Sequence, residues 1–192
     1  GDPWLTYWRG IALAPFDPPA ASGHLERAYR QFDATGTGDG LYLAWTANVE
    51  LICLAWANFR QLDRWLDDAE RLRRCFGPPP GYLYGRFTAA LFGGLAFRRA
   101  HDPSIEAVAG ELLAVIEATP EVNTRILLGC NLVLYYNAVV GRHRAIEHVM
   151  RVIEPPAGSA LEPVAETLLW ALRSMQCWSV GAMREGAEAA AR

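Results

Sequence analysis

The stretch Leu62-Asp63-Arg64-Trp65-Leu66-Asp67-Asp68-Ala69-Glu70-Arg71-Leu72 puts Leu62, Trp65, Leu66, Ala69 and Leu72 at helical spacing, with acids and arginines filling the positions between. An α-helix turns about 100° per residue, so the five apolar side chains share one face and Asp63, Arg64, Asp67, Asp68 and Arg71 take the other. A strand, whose side chains alternate between two faces, would scatter the same residues. The stretch is predicted to be an α-helix with one buried face and one solvated face.

Working outward, the same stripe recurs as Leu25, Ala28, Tyr29 and Phe32, as Ile105, Val108, Ala109, Leu112 and Ile116, and as Ala145, Ile146, Val149, Val152 and Ile153. Each striped segment follows a more uniformly apolar one: Pro3 to Leu13, Leu41 to Ala57, Tyr82 to Arg99 and Glu121 to Val139, with a fifth from Leu161 to Val180 before the final short segment. A helix apolar on nearly all sides has to be flanked on more than one side, as the inner helix of a stacked array is. Turn marks near Asp17, Asn58, His101/Asp102, Gly141 and Gly181 recur about every 40 residues, a repeat-array period. Between units, Thr35 to Gly40, Gly77-Pro-Pro-Pro-Gly81, Thr119-Pro120 and Pro155-Pro-Ala-Gly-Ser159 stop helices by removing donors or permitting positive φ. Asp102-Pro103 reads as an N-cap with Pro at the first helical position. The expected architecture is all-α, about five antiparallel helical hairpins over roughly 2–34, 40–76, 81–118, 120–154 and 159–192, forming one solenoid over 1–192. The Ala-rich last segment from Met183 to Arg192 lacks a polar cap, which leads us to expect a fragment of a longer protein, or one whose open ends self-associate.

Composition narrows function. The chain has 192 residues, 52% hydrophobic and 20% charged, with formal charge −3, so it has ample material for a core. All its basic residues are Arg, scattered along the chain, which argues against direct nucleic-acid binding. Cys53, Cys75, Cys130 and Cys177 form no C-x-x-C pair and read as small buried hydrophobes of a reducing, cytoplasmic protein. The apolar run from Ile126 to Val140 is too short to span a bilayer, so no membrane role is expected.

Ala21 and Ala28 with Leu25 between them, and the aromatic-rich segments Leu54-Ala-Trp-Ala-Asn58 and Leu134-Tyr-Tyr-Asn-Ala138, resemble the tetratricopeptide pattern, in which small residues let paired helices approach closely. The longer period is similar to that of the superhelical sensor regions of bacterial MalT-like transcriptional regulators and related signal-transduction ATPases. That resemblance implies a right-handed superhelical stack and a module that binds a protein, a peptide or a small effector in its concave groove; it does not imply which.

Catalytic chemistry finds little footing. Thr35 to Gly40 lacks the Lys-Ser/Thr ending of a phosphate loop. His143 and His148 lie on different helical faces with no metal-binding spacing, and His24 and His101 are isolated, so no metal, cofactor or catalytic residue is expected. Leu66-Asp-Asp-Ala-Glu70 has no second acidic motif and reads as a solvated face. Polar residues inside apolar helices stand out instead: Asn48, Glu50, Arg86, Arg125, Asn131 and Glu166. Asn48 and Asn131 each precede their turn mark by about ten residues, so they are expected at equivalent positions two units apart. They read either as buried amides bonded within the stack or, with Trp45, Arg86 and Tyr135, as a binding groove. The expected function is a non-catalytic interaction or ligand-sensing module of a bacterial signalling protein, with an oligomerisation scaffold or an unrecognised all-α enzyme as alternatives.

Overall fold

The computed structural model describes residues 1–191. Among them it contains ten α-helices and no strand: α1 (Pro3–Leu13), α2 (Pro18–Thr35), α3 (Gly38–Ala55), α4 (Leu62–Phe76), α5 (Gly81–Arg98), α6 (Ile105–Ala118), α7 (Val122–Tyr135), α8 (His143–Ile153), α9 (Pro163–Ser179) and α10 (Met183–Ala190). Two short irregular helices interrupt the series, a 3-10 turn at Phe59–Gln61 and a π-helical turn at Tyr136–Val140. The helices divide into two compact units, Gly1–Ile105 and Glu106–Arg192, with the boundary at the start of α6 and so inside the third expected hairpin.

Helix starts follow capping chemistry. The Asp2 carboxylate accepts from the Trp4 N–H at 2.9 Å, and Pro3 opens α1. Asp17 likewise accepts from the Ala20 N–H at 3.1 Å ahead of Pro18 and Pro19. A proline in the first helical turn forfeits no hydrogen bond, because that N–H has no intrahelical acceptor. At 102–105 the expectation is off: α6 begins at Ile105, and Asp102 instead accepts from the Ser104 N–H (2.9 Å) and hydroxyl (2.6 Å) in a turn just before it. α3 also starts earlier than expected, at Gly38, so half of the Gly-rich segment is helical.

In the first unit, α1 packs on α2, α2 on α3, α3 on α4, and α5 on both α3 and α4. The founding stripe holds in full: Leu62, Trp65, Leu66, Ala69 and Leu72 are the buried residues of α4. Burying a side chain such as Leu72 is worth about 1.5–3 kcal/mol, which is why the stripe dictates the helix's orientation. Ala21, Leu25 and Ala28 are buried in α2, where α1 comes close enough that a Cβ on Gly10 would stand 2.7 Å from Leu25 Cγ. In the second unit, α7 packs on α8 and α9, and α9 on α10. Gly129 plays Gly10's part there, since a Cβ would come within 2.6 Å of Ile153 Cγ2 on α8.

The cysteines depart from expectation. All four are free, but Cys75 is exposed and the other three are half-buried. No helix among the described residues is long and apolar enough to cross a membrane.

Candidate functional site

In the first unit, α1, α3 and α5 bring a compact polar cluster together. Arg86 on α5 grips Glu50 on α3 with two hydrogen bonds, Nε to Oε1 at 2.7 Å and Nη2 to Oε2. Tyr7 on α1 lies close enough to the same guanidinium for the two to shift each other's pKa. Two parallel N–H donors matched to one carboxylate fix the guanidinium plane as well as its position. The bonds to Glu50 raise the Arg86 pKa above its already high value, while burial raises that of Tyr7 and Arg86 pulls it back. The Arg86 side chain is nevertheless 45% exposed. Exposed Trp8 lies against Tyr7 with ring centroids 5.1 Å apart, and Tyr82, one turn before Arg86 on α5, is exposed as well. The cluster therefore offers a charged, planar, pre-oriented group beside open aromatic surface.

Of the five residues the sequence singled out, Arg86 alone is placed this way. Trp45 is 0% exposed, donates its indole N–H to the Trp65 carbonyl at 2.8 Å and packs on Phe87. Asn48, at 2% exposure, donates to the Ala44 carbonyl at 2.7 Å, a bond along its own helix. Both are enclosed by the core, and we withdraw them from the ligand set. Asn131 and Tyr135 lie on α7 in the second unit, the former half-buried and the latter buried with its ring 5.6 Å from that of Tyr136. The expected equivalence of Asn48 and Asn131 is thus not matched in burial. Tyr7 carried no signal beyond its aromatic type. Glu50 did: an acid followed by an Arg 36 or 38 residues later recurs as Glu26–Arg64, Asp33–Arg71, Glu50–Arg86 and Glu106–Arg142, and each of these is an ion pair.

Other polar groups are committed elsewhere. The outward side of α4, expected to be solvated, is instead tied to α2: Tyr29 donates to Asp68, Arg71 binds Asp68 and Tyr29, and Arg71 Nη1 reaches Asp33 at 3.0 Å. An open cleft of about 500 Å³ lies there, lined by Glu26, Arg30, Arg64 and Trp65 among others. A second, of about 440 Å³, lies on α8 and α9 around Glu147, Glu154 and Arg173. None of the five predicted residues lines either cleft. His148 pairs with Glu117 at 3.1 Å. Burial pushes the Cys53 thiol up to about 12 and that of Cys130 to about 11, which leaves both protonated and poorly nucleophilic at neutral pH. Among the described residues, no three His, Cys, Asp or Glu side chains are grouped to hold a metal.

No family model, no curated protein and no solved structure matches the chain.

Proposed function

We propose that this protein is a non-catalytic interaction or ligand-sensing module whose helical hairpins stack in the tetratricopeptide manner, and that it engages a peptide or effector on the inner, concave side of its first unit. The observation that carries this reading is the Tyr7–Glu50–Arg86 cluster. α1, α3 and α5 contribute one member each, and exposed Trp8 and Tyr82 flank it. Arg and aromatic side chains concentrate binding energy when they are held rigidly at a surface, and here the cluster itself does the holding. The resemblance of the repeat period to bacterial sensor regions supports a place in a cytoplasmic signalling or transcription-regulatory protein.

The test is selection of a random-peptide library on the immobilised chain, followed by affinity measurements on Arg86→Ala. Selected peptides that lose about tenfold in affinity, equivalent to about 1.4 kcal/mol, support the reading. Peptides indifferent to Arg86 and to Tyr82→Ala contradict it.

One observation favours self-association alongside. On α1, Leu5 and Trp8 are exposed, whereas Thr46 and Val49, one repeat on in α3, are fully buried. A sedimentation series in which Trp8→Glu abolishes concentration-dependent association would support that second role, and a monomer throughout would remove it.

A further inference from the structure

Among the described residues five glycines take positive φ: Gly36, Gly77, Gly141, Gly158 and Gly181. The turn that follows α3 uses no glycine. There Trp56 adopts φ 47° and ψ 30°, the one non-glycine at positive φ among the described residues. That conformation strains most residues with a Cβ; glycine removes the strain and asparagine lessens it. Burial does not explain the choice either, because Trp56 is 66% exposed and Leu54, two residues earlier, is 77% exposed.

The rings nearby show how the indole is held. Phe59 and Phe97 stack face to face, with centroids 5.0 Å apart and planes 6° from parallel. Trp56 meets Phe97 edge-on at 5.1 Å and Phe59 at 6.2 Å, so it is braced from one side and open on the rest. The local charge is unbalanced. Arg98 pairs with Asp63, and Arg99 with Asp63 and Asp67, but exposed Arg60 makes no ion pair among the described residues.

We propose that Leu54, Trp56 and Arg60 form a docking point for a protein segment that presents an apolar anchor side chain beside a carboxylate. The anchor covers Leu54 and the open part of the indole, and the carboxylate answers the unpaired guanidinium of Arg60. Trp and Arg are the residue types in which binding energy concentrates at protein interfaces. Strain retained at an exposed position fits a residue kept for contact, since stability and binding then favour different side chains. This point lies at a hairpin turn, is built from other residues than the Tyr7–Glu50–Arg86 cluster, and stands or falls separately from it.

The test is a random library of short phage-displayed peptides selected on the immobilised chain and counter-selected on Trp56→Gly. Enriched peptides are expected to carry Leu, Phe or Trp next to Asp or Glu, to lose about tenfold or more in affinity on Trp56→Gly, to bind Arg60→Glu more weakly, and to bind Arg86→Ala as they bind the parent. Trp56→Gly is expected to melt at or above the parent temperature. Trp56→Asn, which also tolerates positive φ, repeats the measurement so that a folding defect in one variant does not pass for lost docking. The proposal is overturned if nothing is enriched over the counter-selection, if the enriched peptides lack acidic residues, or if they bind Arg60→Glu undiminished. It is equally overturned if the chain adsorbs to phosphatidylglycerol vesicles through Trp56 while enriching no peptide.

Discussion

Two clusters in the first unit use the same three chemical groups to different ends. On α2 and α4, Tyr29, Asp68 and Arg71 interlock, and Asp33 supplies a further partner for the arginine. On α1, α3 and α5, Tyr7, Glu50 and Arg86 meet with one acid for one arginine, and the neighbouring aromatic residues Trp8 and Tyr82 stay open. The α2–α4 cluster ties α2 to α4 and satisfies itself. Its polar groups are spent on one another. The Arg86 cluster leaves a half-exposed guanidinium and bare rings, an arrangement that adds little to stability and suits recognition. A tyrosine–carboxylate–arginine cluster is therefore not a site by composition; what surrounds it decides.

Both clusters rest on close helix packing, and the largest effect should come from breaking that. Ala69→Leu, at a position 2% exposed, is expected to cost about 1–3 kcal/mol, because added methylenes have no space between packed helices. The shift in chemical-denaturation midpoint checks it, and an unchanged midpoint would remove the frame on which the contrast is drawn.

A smaller effect separates the clusters directly. In a double-mutant cycle of Tyr29→Phe with Asp68→Asn, the coupling is expected at about 0.5–1.5 kcal/mol, the range of a part-buried hydrogen bond to a charged group. The matching cycle of Tyr7→Phe with Arg86→Met should couple by about 0.5 kcal/mol or less, because the guanidinium's short bonds go to Glu50 and its side chain is 45% exposed. Equal couplings would erase the distinction between staple and site.

The alkaline limb sharpens it further. Burial, and then the bond to Asp68, raise the Tyr29 pKa well above the ordinary phenol value. The folded chain thus keeps a proton that the unfolded chain releases near pH 10, so this contribution is complete below about pH 10 and declines as pH rises beyond it. Tyr7 is raised too, but Arg86 opposes the shift. Denaturation midpoints between about pH 9 and 11 should therefore fall less steeply in Tyr29→Phe than in the parent, and Tyr7→Phe should change the slope less.

The smallest effect concerns the second unit. Glu121 caps α7 by accepting from the Asn123 N–H at 2.9 Å and the Thr124 N–H at 2.6 Å, and the Thr124 side chain together with those bonds holds its carboxyl down at about 2. The cap is fully present above the ordinary glutamate pKa and is lost as pH falls through about 2. Glu121→Ala should be less stable than the parent at neutral pH, with the gap narrowing in acid; a gap constant with pH would mean that the carboxylate does not cap.

The sequence carried the helices well and the site poorly, for one physical reason. Burial of a stripe is a local property written at fixed spacing, so Leu62 to Leu72, and the caps at Asp2 and Asp17, could be read directly. Whether a polar residue faces a ligand or its own backbone depends on rotation of a helix whose every side is apolar. α3 gives no such phase, and Trp45 and Asn48 turned inward. The same ambiguity hid the bond from Tyr29 to Asp68, because a face that α4 alone would present to water here meets α2. Glu50 already stood out as an acid inside an apolar helix, and its pairing with Arg86 could have been found by looking 36 residues back from Arg86 for the opposite charge. The π-helical turn after Tyr135 left no sign in the residue pattern.

The central claim is that the Arg86 cluster serves binding and not stability, and one paired measurement on Arg86→Ala addresses it. Melting temperature and affinity for a library-selected peptide are read on the same protein. The pair with Glu50 is partly solvated, so the expected loss of stability is about 1 kcal/mol or less, with affinity down about tenfold. A melting temperature that collapses while affinity per folded molecule is unchanged would make the cluster a staple like the one around Tyr29, and the proposed binding face would be wrong.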